Sequence, residues 1–265
     1  MVGAARIVLG LVLAGSVVNP VAAGHGRADT APPAHGVDTQ RASPVSVDAE
    51  TTQTPTTVAL RFFEALPPGD VEAALRAMRP PQIDDGERRQ LLATLPGKGE
   101  LSPDAGEKHK LAALKRVLTY HDRHGVLDVK VIDLPQAGVV LYYRAALLVT
   151  RPTLHLLSAA ELQAAVAHEI GHEYFWSEFE DTSVAGGPAR REALELKCDG
   201  IAALTLLGLR LDVSSLTSAM RKMIEFNGGL GVTTDTTGYP TVSQRQSFVR
   251  ALLNMTANRR QLARE

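Results

Sequence analysis

The chain has 265 residues, 45% of them hydrophobic, with 28 basic against 29 acidic side chains and a formal net charge of −1. This balance, with no long run of one sign in the sequence, gives no sign of a nucleic-acid surface, because phosphate binding needs clustered Lys and Arg. The length suits one domain of ordinary size with tails, and the single cysteine, Cys198, excludes an internal disulfide, so stability rests on the core and on any metal held.

The N-terminus reads MVGAARIVLGLVLAGSVVNPVAAGHG. Arg6 gives a short positive region, and the apolar run Ile7 to Val18 is shorter than the about 20 residues that a membrane span needs. Val21 and Ala23 stand at the −3 and −1 positions of a cleavage after Ala23. Residues 1–23 are therefore expected to be a signal peptide, and the mature chain to be periplasmic or secreted with no integral membrane span. The rival is an uncleaved anchor. No cysteine stands near the end of the apolar run, which speaks against a lipid anchor of the lipobox type. Residues 24–55 are rich in Pro, Thr, Ser, Ala and Gly without apolar periodicity, and read as a disordered or extended linker. His25 and His35 within it read as solvated.

From residue 56 the pattern turns helical. TTVALRFFEAL and DVEAALRAM read as two short amphipathic helices split by PPGD. EKHKLAALKRVLTYHDRHG, 107–125, reads as one longer helix stopped by Gly125, with His109, His121 and His124 as surface histidines. LDVKVIDL (127–134) and GVVLYYRAALLVT (138–150) read as strands, the second broken near Arg144. Ser158 with Glu161 three residues on forms a capping box, so a helix starts at 159. Three further helices follow: 186–210 with Pro188 in its first turn, 212–229 capped near Asp212 or Ser214, and 241–261.

The helix from 159 carries VAHEIGHEYF, in which His168, Glu169 and His172 form H-E-x-x-H. Positions four apart share one helix face about 6 Å apart along the axis, so both imidazoles can address one ion. Glu169 is turned about 100° from His168 and is placed to reach a water rather than the metal. A catalytic zinc takes three protein ligands and leaves a fourth position for water. The next helix, EALELKCDG, offers Glu192, Glu195 and Asp199. Glu195 and Asp199 are four apart in a largely apolar helix: one can bind the ion, and the other can accept a hydrogen bond from the far nitrogen of a ligand histidine. A carboxylate buried there without a partner is costly. Cys198 reads as a small buried apolar side chain.

The segments AALLVTRPTLHLLSAAELQAAVAHEIGHEY and ELKCDGIAALTL together resemble the CAAX prenyl protease and HtpX-like family of zinc metallopeptidases, which are gluzincins. The resemblance covers roughly residues 135–255; the helices before 126 carry no part of it. It implies an α+β fold, a mainly helical zincin-like domain over 126–263 with a small antiparallel or mixed sheet, which the helical region read over 56–125 precedes. It implies Glu195 as the third zinc ligand and Asp199 as the residue that orients His168. Many members carry a late His-Pro followed by Arg. Here Tyr239 replaces that His while Pro240 and Arg245 keep the interval. Tyr239 is then a candidate oxyanion donor or, on the plainer reading, a turn tyrosine beside a proline, and Arg245 a structural anchor near the site. The interval from His172 to Glu195 is short for the family and holds no membrane helices, which favours an exported member and removes support for prenylated substrates.

These readings add up to an expected zinc endopeptidase. His168, His172 and Glu195 hold one Zn²⁺, and Glu169 moves the proton. The strand around Ala145, Ala146, Leu147, Leu148 and Val149 is expected to be a sheet edge on which a polypeptide substrate pairs as an extended strand. The alternative is a zinc-stabilised binding or chaperone-like domain that cuts poorly or not at all.

Overall fold

The structure, a computed structural model, describes residues 53–66, 71–95, 100–185, 187–231 and 237–262. The predicted signal peptide, and the predicted linker up to residue 52, lie outside the described residues. The first helix begins inside the end of that linker: α1 (Pro55–Glu64) is capped by the Thr54 hydroxyl, which accepts from the Thr57 N–H, with Pro55 in the first turn, where its missing N–H does no harm.

The elements then run α2 (Val71–Ala77), α3 (Asp85–Ala93), α4 (Ala105–Ala113), α5 (Lys115–Tyr120), β1 (Asp128–Ile132), β2 (Val139–Tyr142), β3 (Ala146–Thr150), α6 (Arg151–Leu156), α7 (Ala159–Tyr174), α8 (Trp176–Ala185), α9 (Pro188–Gly208), α10 (Ser214–Gly229) and α11 (Val242–Leu262). The fold is α+β, mostly helical with one three-stranded mixed sheet. Among the described residues no helix is long and apolar enough to cross a membrane.

The single helix predicted over 107–125 is two. The chain breaks between α4 and α5 at Leu114, where the Ala113 carbonyl accepts a hydrogen bond from the Gln163 side chain at 2.7 Å, a donor from outside the helix. Gly125 follows the second helix with a left-handed φ of 81°, a conformation glycine adopts without penalty.

The sheet order is β1–β3–β2, with β1 parallel and β2 antiparallel to β3. The predicted break near Arg144 is the β2–β3 hairpin turn. Tyr143 and Arg144 both take positive φ, 46° and 60°, where glycine or asparagine is the ordinary choice. The surroundings hold the strained pair: the Arg144 guanidinium donates to the Pro81 carbonyl and lies 3.5 Å from the Glu173 carboxylate.

One continuous core joins both sides of residue 126. Ala59 and Phe63 of α1, Leu75 of α2 and Leu114 pack with the strands and with α7, α9 and α11. Gly200 is why α1 lies so close to α9: a Cβ there would stand 2.2 Å from Phe63 Cζ. Gly171 does the same between α7 and α9, where a Cβ would meet Cys198 Cα at 2.8 Å. Because that obstacle is backbone, it cannot swing away. Gly171→Ala is expected to destabilise the protein by at least about 1–3 kcal/mol, read as a lower urea midpoint; an unchanged midpoint would show that the two helices have room to part.

Candidate metal centre

The helix that carries the site is pinned at its start. Ser158 Oγ accepts from the Glu161 N–H and Glu161 Oε2 accepts from the Ser158 N–H at 2.8 Å, closing the predicted capping box. Glu161 also accepts from Ser218 and Lys222 of α10, and these bonds hold its carboxyl down to about 2 although burial pulls it up. With its first turn fixed, α7 runs buried from Glu161 to Glu173 beneath the sheet and against α9 and α10.

His168 and His172 stack one turn apart, ring centroids 5.1 Å from each other and nearly perpendicular. Each uses its Nδ1 on α9. His168 Nδ1 meets Asp199 Oδ1 at 2.8 Å, and His172 Nδ1 meets Cys198 Sγ at 3.4 Å. Their Nε2 atoms are left facing one carboxylate: Glu195 Oε2 is 3.4 Å from His168 Nε2, and Glu195 Oε1 is 3.7 Å from His172 Nε2. Donor atoms of His168, Glu169 and His172 also lie within 4.8 Å of one another. Two of the buried atoms, His168 Nε2 and Glu169 Oε1, have no hydrogen-bond partner among the described residues. Such orphaned atoms are rare in folded proteins and call for a missing partner. Two imidazoles and one carboxylate, with far nitrogens already engaged, are a donor set that fits a divalent ion of the zinc class.

Two carboxylates compete for the third position. Glu169 Oε2 is already taken by the Leu141 N–H of β2 at 2.9 Å, whereas each oxygen of Glu195 points at a different imidazole. The geometry therefore favours Glu195 as the ligand and leaves Glu169 beside it. Arg245 of α11 closes the cluster from behind. Its Nη1 donates to both oxygens of Asp199 at 2.7 Å, and its Nη2 donates to Glu195 Oε2 at 3.2 Å. Glu192, the third acid of the α9 stripe, accepts from Gln244 instead and takes no part.

Electrostatics follow from this arrangement. Burial pushes the Glu195 carboxyl up, but His168, His172 and Arg245 outweigh it and hold the group below the usual carboxylate range. Burial pushes Glu169 up to about 8, against the pull of His168 and of the Leu141 N–H. Burial lowers His172 to about 4. Burial acts the same way on His168, yet its hydrogen bond to Asp199 and the Glu195 carboxylate beside it raise it to about 9. Cys198 is pushed well up by burial and stays a neutral thiol.

The pH dependence of the metal-free protein follows. His168 and Glu169 hold protons in the folded chain that the unfolded chain has released, between ordinary values of 6.5 and 4.5 and folded values of about 9 and about 8. The folded state then binds more protons than the unfolded state, so stability falls as pH rises. His172 works the other way only below 6.5. The melting temperature of the chelated protein is expected to fall from pH 6.5 to pH 9. A saturating divalent metal is expected to shrink the fall, because it takes the place of the His168 proton. A flat profile in chelator would contradict this.

The other predicted site residues fare differently. Tyr239 sits in the turn before α11, after Gly238 (φ 83°), with the Arg191 guanidinium 5.8 Å from its ring centroid. Burial and then the Glu195 charge push its phenol up to about 12, so it lies within reach of the cluster's field. The strand of Ala145, Ala146, Leu147, Leu148 and Val149 is not a sheet edge. β3 is the central strand, paired on both sides and wholly buried, so no peptide can add to it. The site-facing edge belongs to β2. The Gly138 carbonyl accepts from the Thr150 N–H of β3, so by alternation Val139 and Leu141 turn their backbone groups away from the sheet, as the Leu141 bond to Glu169 shows.

Two features escaped the sequence reading. Arg123, fully buried, donates through Nε to both oxygens of Glu173 at 2.9 and 2.8 Å and through Nη2 to the Pro80 carbonyl. This ties the end of α7, one residue past His172, to the helices before the sheet. His121, expected on the surface, is buried between the Tyr174 hydroxyl at 2.8 Å and the Thr205 hydroxyl at 2.9 Å, and burial drops it to about 3. His109 and His124 are exposed as expected. A charged residue directly after a candidate ligand histidine, on a helix buried all round, was the available signal for the first pair.

Comparison with protein-family models gives no match, and comparison with curated proteins gives none.

Proposed function

We propose that the chain is a zinc-dependent endopeptidase of gluzincin type, similar to the CAAX prenyl protease and HtpX-like enzymes, acting on exported or misfolded polypeptides. The observation that carries this reading is the convergence of both histidine Nε2 atoms on the Glu195 carboxylate, at 3.4 and 3.7 Å, with Glu169 alongside. His168, His172 and Glu195 would hold the ion. A bound zinc supplies a Lewis acid that lowers the pKa of a water towards about 7. Glu169 is the base: its Oε2 is fixed by the Leu141 N–H, and its unpaired Oε1 takes the proton from the attacking water and returns it to the leaving amine. Asp199 fixes the tautomer and orientation of His168, and Arg245 holds the Asp199 and Glu195 carboxylates in place. Tyr239 donates to the oxygen of the scissile carbonyl as it gains charge. The extended substrate pairs on the β2 edge with the outward backbone groups of Val139 and with the Leu141 carbonyl, the Leu141 N–H being held by Glu169. Export rests on the Arg6, Ile7–Val18 and Ala23 pattern.

Burial favours a second reading. His168, Glu169, His172 and Glu195 are exposed by 0, 1, 5 and 5%, which suits a metal that braces a binding or chaperone-like domain. Incubation of the full chain with unfolded casein, with and without chelator and with zinc restored, separates the two. Fragments that vanish with chelator and return with zinc are expected. A zinc-loaded protein that leaves casein intact selects the second reading, and a chain that neither cuts nor binds zinc removes both.

A further inference from the structure

A cavity of about 700 Å³ lies where the end of α2, the α4–α5 junction and the tail of α9 meet. None of its lining residues belongs to the metal centre. Its wall carries four cations, Arg76, Arg79, Lys115 and Arg116, against one carboxylate, Asp122, in a chain whose formal charge is −1. Like charges gathered in one concavity raise the local potential and draw anions.

Two of the three guanidinium groups at the wall are held in place by backbone carbonyls. Arg116 Nη2 donates to the Leu209 carbonyl at 2.9 Å, and Arg79 Nη2 donates to the Tyr120 carbonyl at 3.0 Å. The one carboxylate is spoken for: Asp122 pairs with Arg79 Nη1. Asp122 itself stands at a φ of 52°, and the Gln82 side chain donates to its carbonyl at 3.2 Å, so the turn that presents it is strained and externally braced. Lys115, at the start of α5, is exposed and has no partner among the described residues.

We propose that this cavity binds a phosphate ester. Planar guanidinium groups pair with phosphate oxygens two at a time, and an exposed ammonium adds a point charge. A phosphate ester, with up to two negative charges, can match the Arg116 guanidinium and the Lys115 ammonium together, which a single carboxylate does less well. The volume lies in the range of sites for small organic ligands and is more than a bare phosphate fills, while Ala112 and Leu209 supply apolar wall for the organic part. Two sources share this chemistry: a soluble phosphomonoester and the headgroup of an anionic phospholipid.

The test uses the full chain. One arm is calorimetric titration with glycerol 3-phosphate. The other is co-sedimentation with equimolar phosphatidylglycerol and phosphatidylcholine vesicles, with pure phosphatidylcholine as the blank. Saturable binding in the first arm identifies a soluble ester, and in the second a lipid headgroup. In the arm that binds, Lys115→Gln and Lys115→Glu are each expected to weaken affinity about tenfold, the size of one lost charge-assisted hydrogen bond. Lys108→Glu makes the same charge change on the exposed surface of α4 outside the cavity, and is expected to leave affinity within about twofold. No saturable binding in either arm, or an equal loss for Lys108→Glu, overturns the proposal.

Discussion

Glu169→Gln is expected to lower casein turnover by about 10²–10⁴-fold while zinc content stays at the wild-type level. Gln has nearly the same shape, and its side-chain oxygen can still accept from the Leu141 N–H that now holds Glu169 Oε2. What it lacks is any capacity to take a proton. The fold should tolerate the change, because burial already drives the native carboxyl to about 8 and so towards its neutral form. A variant that keeps its zinc and still cuts at the wild-type rate would remove Glu169 from the chemistry. A variant that loses its zinc would mean that Glu169, and not Glu195, is the third ligand.

The second large effect is expected at Arg245. This side chain is buried with both Asp199 and Glu195 bonded to it. Arg245→Ala leaves two carboxylates in a water-poor site with only the imidazoles to balance them. Breaking one partner out of a buried ion cluster costs about 3–5 kcal/mol, which denaturant unfolding reads directly. Zinc affinity is expected to fall about 10–100-fold, because Asp199 loses the group that holds it against His168. Arg245→Lys is expected to recover only part of both effects: one ammonium cannot span two carboxylates as the guanidinium does. A loss below about 1 kcal/mol would show that the cluster carries less charge than the distances imply.

Much of this site was written in local patterns. The capping box at Ser158 and Glu161 sets where α7 begins, and the 3.6-residue period then puts His168 and His172 on one face. The same period in α9 puts Glu195 and Asp199 together, with apolar neighbours that demand partners for both. Which of the two would face the metal was not a matter of period. It depends on how α7 and α9 sit against each other, with Gly171 lying against Cys198.

The misread parts depend on contacts between residues distant in the chain. β3 has the composition of any buried strand, and nothing within 146–150 tells a central strand from an edge; its place follows from β1 pairing parallel on its far side. His121 shares its neighbourhood in sequence with the exposed His109 and His124. It is buried because α5 turns that one ring onto Tyr174 and Thr205, 53 and 84 positions away. The Arg123–Glu173 pair spans 50 positions. Glu169 meets its strand partner Leu141 across 28.

Elemental analysis of the purified full chain, beside His168→Ala and Glu195→Gln, tests the metal centre most directly. About one zinc per wild-type chain is expected, with none retained by either variant while circular dichroism shows both still folded. Folded wild-type protein that takes up no zinc when it is supplied, or a Glu195→Gln protein that holds it as tightly as the wild type, would contradict a site built from two imidazoles of α7 and one carboxylate of α9.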